Sequence, residues 1–142
     1  MRFDARVDTD ALVATYLNAL MTADADLAIS LFSDDAVVHS PLYGPLAPRD
    51  FYPALFSDTS ASQLRLMGTM SGQDLGGAQL VSFFFHFDWR LPSGRPAPFD
   101  VVDVARLTSD GLADRLHILY DTVSVRPAFE AETGRPSWRQ LG

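Results

Sequence analysis

The chain has 142 residues, 47% of them hydrophobic and 20% charged, which favours one globular domain and excludes a disordered chain. It has no cysteine and its basic residues are all arginine, which excludes disulfides, thiol nucleophiles, thiolate-bound metals and a lysine Schiff base. The net charge of −7 argues against a nucleic-acid or anionic-membrane surface.

The opening MRFDARVDTD alternates charges and lacks an apolar stretch, so it does not read as a secretory signal. No apolar run approaches a membrane span, and the expectation is a cytoplasmic protein with no membrane partner. Asp8, Thr9 and Asp10 offer N-caps to a helix starting at Ala11, with Leu12, Val13, Tyr16, Leu17, Leu20 and Met21 at helical spacing. A second helix fits Asp26 to Phe32. Asp34 and Asp35 end it, and Ala36 to Ser40 reads as a short strand stopped by Pro41. The segment from Pro41 to Pro48, with three prolines and a glycine, reads as a loop. Arg49 to Phe56 suits a third, short helix despite Pro53.

The second half changes character. Gln63 to Ser71, Ala78 to Arg90, Phe99 to Leu107 and Leu112 to Val125 read as four successive strands, joined by SGQDLGG, LPSGRPAP and TSDG. The tail from Arg126 to Gly142, with Pro127 and Pro136, is expected on the surface or against a partner subunit. Helices followed by an antiparallel meander indicate an α+β domain with its helices on one face of the sheet.

This order, with YLNALMTADADLAISLFSDDAVVHSPLYGP followed by FDVVDVARLTSDG, resembles the cone-shaped superfamily of ketosteroid isomerase, SnoaL-like polyketide cyclases and nuclear transport factor 2-like proteins. The same superfamily contains scytalone dehydratase and limonene epoxide hydrolase. The resemblance covers about residues 8–125 of a single domain, 1–142. It implies a strongly curved antiparallel sheet (a cystatin-like fold) around an internal cavity, and a homodimer. In ketosteroid isomerase a helix tyrosine and a protonated strand aspartic acid form an oxyanion hole, a case of pKa tuning by an apolar site. Tyr16 and Asp103 occupy the matching positions here, while Ser40, before Pro41, stands where the family carries its general base. A serine does not shuttle a proton at neutral pH without a partner base.

Asp103 sits among apolar neighbours, Val101 and Ala105 on its own face, where desolvation raises a carboxyl pKa; the plain alternative is an edge aspartate facing water. Tyr16 reads equally well as a core aromatic. Along Val81 to Arg90, alternation alone buries Val81, Phe83, Phe85, Phe87 and Trp89 and leaves His86 and Asp88 in water. Matching the hairpin through Gly94 and Pro96 onto the family reverses this. Phe84, His86 and Asp88 then face the cavity, and Phe85, Phe87 and Trp89 form the convex dimer face.

On that register His86 is the general base or acid, with Asp88 biasing it and His39 ranked second; His117 reads as a surface residue. The cavity is expected to be lined by Tyr16, Leu20, Val38, Ser40, Phe56, Phe84, His86, Asp88, Phe99, Val101, Asp103, Leu116, Ile118 and Tyr120. Asp88 and Arg90 match the Asp-Arg-Asp set of limonene epoxide hydrolase only in reversed order. Three scattered histidines lack metal-site spacing, and neither a phosphate loop nor a nucleophile elbow is present, so no metal and no cofactor is expected. The function implied is cofactor-free acid–base chemistry (isomerisation, dehydration, cyclisation or epoxide opening) on a hydrophobic molecule bearing a carbonyl or hydroxyl. A non-catalytic binding protein for a small hydrophobic ligand is the alternative, and an adaptor using the aromatic face a third.

Overall fold

The computed structural model describes residues 2–138, with side chains from residue 9 onward. Helix α1 (Arg2–Thr22) runs into α2 (Ala25–Ile29), whose N-cap Asp24 accepts a hydrogen bond from the Leu27 backbone N–H at 3.0 Å. Strand β1 (Phe32–Ser40) is longer than its apolar run. The segment expected as a loop holds a three-residue strand, β2 (Gly44–Leu46), before α3 (Pro48–Ser57). Proline suits the first turn of α3, where its missing N–H has no partner to lose. Strands β3 (Ala61–Gln73), β4 (Gln79–Arg90), β5 (Phe99–Leu107) and β6 (Ala113–Leu119) follow as the meander.

The six strands form one curved, unclosed sheet in the order β2-β1-β6-β5-β4-β3. It is mixed rather than wholly antiparallel, because β1 pairs with β6 in parallel, His39 opposite His117. Strand β3 is one edge of the sheet and the short β2 the other. The helices cover the concave face. The core is aromatic: Tyr16 of α1 meets Phe83 of β4 edge-on at 5.5 Å, and Phe83 stacks on Phe85 at 5.6 Å.

The register of β4 corrects the expectation from the family. Val81, Phe83, Phe85, Phe87 and Trp89 point inward and are buried, while Phe84, His86 and Asp88 point outward. A slip of one residue turns every side chain of a strand to the other face, so aligning the hairpin one position off inverted all of them. Burying five large apolar side chains, at roughly 1.5–3 kcal/mol each, decides the register. Phe85, Phe87 and Trp89 are therefore core residues and not a convex association face. The outer face carries Phe84, Met70 and Leu119 among its exposed large apolar residues.

The tail is a second correction. Residues Val125–Thr133 form a helix, α4, ended by Gly134 in the left-handed conformation (φ 68°). Val125 and Phe129, one turn apart, are buried, and Phe129 stacks on Trp89 at 6.2 Å and meets Tyr43 at 5.4 Å. Beyond it Arg135 pairs with Asp58, and the Trp138 backbone N–H donates to the Leu42 carbonyl at 3.0 Å. The tail closes the end of the cone. Among the described residues no helix is long and apolar enough to cross a membrane.

Candidate functional site

Strand alternation and helix spacing converge on Asp103. Strand β5 turns Val101, Asp103 and Ala105 to the concave side, and Asp103 is 1% exposed. Helix α1 brings Tyr16 beside it, and α3 brings Tyr52 behind Tyr16. The Tyr52 hydroxyl donates to the Tyr16 hydroxyl at 2.9 Å, and Tyr16 is in turn hydrogen-bonded to the Asp103 carboxyl. The other carboxyl oxygen, Oδ1, is buried with no hydrogen-bond partner. Leaving a buried polar atom unpaired costs about 1–3 kcal/mol, so such an atom in a cavity marks where a ligand atom belongs.

Burial pushes the Asp103 carboxyl well above the usual carboxylate range, and the smaller pull of the Tyr16 hydrogen bond works against it. Burial likewise holds the Tyr16 and Tyr52 hydroxyls in their protonated form, well above the ordinary phenol range. The three groups make a one-way chain: Tyr52 donates to Tyr16 and Tyr16 to the carboxyl. A protonated Asp103 then has one donor left, on Oδ1.

Asp103 is part of the wall of an aromatic cavity lined also by Tyr43, Phe51, Phe85, Phe87, Trp89, Phe99 and Tyr120, with Leu20, Val101 and Ile118 between them. The cavity holds about 40 Å³ of water-accessible space. That is room for about three waters, so a ligand must displace side chains to enter. Ser40 lines it too, but its hydroxyl oxygen accepts from the backbone N–H groups of Leu42 and Tyr43, both at 3.2 Å, and serves to turn the chain after β1. Asp103 is the one carboxyl among the lining residues described.

Of the residues expected at the site, the structure brings together Tyr16, Leu20, Ser40, Phe99, Val101, Asp103, Ile118 and Tyr120. Val38 and Phe56 pack in the core away from the cavity, and Leu116 lines a smaller void beside Phe83. His86, Asp88 and Phe84 lie on the outer face for the reason of register given above. There the His86 Nδ1 meets Asp100 Oδ1 at 2.8 Å, with the side chains 34% and 61% exposed, and Arg90 pairs with Asp88 at 3.8 Å. Tyr52, Tyr43 and the inward aromatics of β4 were missed. The cluster Phe51, Tyr52 and Phe56 within ten residues of α3 was the available signal. Among the described residues no three histidines or carboxylates come together as a metal ion needs.

A family model described as a SnoaL-like domain matches residues 13–116, which include Tyr16, Ser40, Tyr52 and Asp103. No curated protein matches the chain. Among solved structures, the protein PrhC from Penicillium brasilianum superposes with a TM-score of 0.72 at 15% identity, covering 92% of this chain and 90% of that one. SalBIII, an epoxide hydrolase/cyclase-like enzyme of pyran ring formation in the polyether salinomycin, gives 0.68 at 19% identity over 84% and 95%. A putative aromatic ring hydroxylase from Novosphingobium aromaticivorans gives 0.66 at 19% identity over 87% and 97%. At these identities the likeness is one of fold.

Proposed function

The chain belongs to the SnoaL-like domain family, and from that premise we propose that it is a small-molecule enzyme in which neutral Asp103 gives a proton to an oxygen of a hydrophobic substrate. The observation that carries this reading is the unpartnered Oδ1 of Asp103, buried in an aromatic cavity with Tyr16 and Tyr52 behind it. A group whose pKa is raised toward neutrality by burial is suited to general acid work.

Because Asp103 is the single carboxyl among the described lining residues, the reaction it fits is one in which the same group gives and takes back the proton. Opening of an epoxide is such a reaction. The carboxyl protonates the ring oxygen as its C–O bond breaks, a hydroxyl of the substrate or a water adds to the carbon, and the proton that this nucleophile loses returns to the carboxylate. The fold shared with an epoxide hydrolase/cyclase-like enzyme supports this choice, as does a cavity with room for water. Tyr16 would hold the carboxylate formed midway and Tyr52 would orient Tyr16.

The engagement of Ser40 in a turn favours a second reading, a binding protein that uses the same Oδ1–H to recognise an oxygen without turnover. Infrared spectra at pH 7 test the feature common to both. A protonated-carboxyl band is expected in the wild type, absent in Asp103→Asn and shifted in Tyr16→Phe. A carboxyl already ionised at pH 6 would overturn the proton-donor role.

A further inference from the structure

The slot at the end of the parallel β1·β6 pair opens onto a second cavity. The two strands last pair at His39 and His117; beyond them Pro41 and the end of β6 at Leu119 let the chains part. Outside lies a cleft of about 680 Å³ lined by His39, His117, Leu119, Pro45 and Trp138. Ser40, Ile118 and Tyr120 line both this cleft and the inner cavity, so the two spaces are neighbours across these residues. Tyr120 lies just past β6, held over the inner cavity by stacking on Phe99 at 4.0 Å, and its movement would join the two spaces.

The cleft has its own chemistry. The rings of His39 and His117 meet edge-on at 4.4 Å, and the buried Nε2 of His117 has no hydrogen-bond partner. No carboxylate is among the lining residues described. Burial first, then His39 and Arg115 two positions along β6, push the His117 imidazole down and keep it neutral, while Tyr120 has both Arg126 of α4 and Asp103 acting on it. The adjacent Asp121 has an oxygen engaged by the Val123 backbone N–H at 2.9 Å. Two imidazole N–H donors side by side, one of them near Arg115, with no carboxylate in the described lining, suit a carboxylate.

We propose that this outer cleft is the second half of the ligand site, and that the ligand is elongated, with an oxygen-bearing apolar head against Asp103 and a carboxylate held by His39 and His117. This rests on the reading of Asp103 given above, and the test separates the two. The neutral probe is para-phenylphenol, and the charged probe is the same molecule with a carboxylate on its far ring. A charge-assisted hydrogen bond is worth enough that the charged probe should bind roughly tenfold more tightly at pH 7, read by fluorescence titration.

The variant His39→Gln/His117→Gln should bring the two affinities together, while Asp103→Asn weakens both probes and leaves their ratio unchanged. Should the double variant not fold, the single variants serve, each expected to lose part of the preference. Equal binding of the two probes by the wild type, or a preference that survives loss of both histidines, overturns this inference alone. Failure of the wild type to bind either probe overturns it together with the ligand-binding reading of the cavity.

Discussion

Among the described residues two aspartates are buried, and their surroundings differ in kind. Asp58, at the end of α3, accepts hydrogen bonds from Arg135 Nη2 at 2.8 and 2.9 Å and from the Tyr43 hydroxyl at 2.7 Å. Its charge is matched and its oxygens are used; it ties the tail to the body of the cone. Asp103 has only the Tyr16 hydroxyl, no cation and an idle oxygen. The protein spends one buried carboxylate on cohesion and keeps the other unmatched. The difference between them is the presence of a counter-charge, since burial alone is common to both.

The largest effect expected from breaking this contrast is in the pH dependence of stability. The fold favours the neutral form of Asp103, so the folded chain holds that proton more tightly than the unfolded one does. Its contribution to stability is therefore fullest below the ordinary carboxyl pKa of about 3.9 and is lost as pH rises toward the folded-state value. Between those limits the cost is about 1.4 kcal/mol per pH unit. Asp103→Asn should abolish that slope, so chemical denaturation from pH 5 to pH 7 should find the variant gaining stability on the wild type as pH rises. Parallel curves for the two proteins would contradict a neutral Asp103.

Asp58→Asn should act in the opposite sense. It leaves Tyr43 and Arg135 poorly matched and loosens α4, at a cost of about 2 kcal/mol, because Arg135 is half-exposed and turns to water. Hydrogen exchange should speed up in α4 before it does in the sheet. The smallest effect should come from the outer face. His86→Ala breaks an exposed pair with Asp100 and should change stability by no more than about 0.5 kcal/mol. Loss of ligand binding in that variant would mean that the outer face of β4 takes part after all.

These contrasts also explain what was legible beforehand. The aromatic alternation of β4 by itself indicates burial of Phe85, Phe87 and Trp89. Only the family alignment of its hairpin, one residue out, turned them outward and carried His86 and Asp88 into the cavity. Asp103 was legible because a lone acid in an apolar strand needs no alignment to be noticed. Tyr52 was not, because a tyrosine in the middle of a short helix says nothing about which hydroxyl it will meet 36 residues away. Helix α4 left a readable trace in Val125, Phe129 and Gly134, outweighed by two prolines that suggest a surface tail. The parallel pairing of β1 with β6 joins residues as far apart as His39 and His117, a separation over which local patterns carry no information.

Strand β3, at the margin of the sheet, has a consequence for handling the protein. It offers 13 residues, free of proline and with Arg65 as their single charge, whose outer backbone groups have no neighbouring strand. Leu66, Met67 and Met70 are exposed along it. Such a margin is a template on which another chain extends the ladder, and charged residues are the usual defence. What blunts it here is the irregularity at Met67, between Leu66 and Gly68, which breaks the straight run of donors and acceptors. The kink is thus a local protection of this edge, acting beside the overall negative charge. A substitution that straightened the strand there would invite fibrous aggregation without touching the core or the cavity.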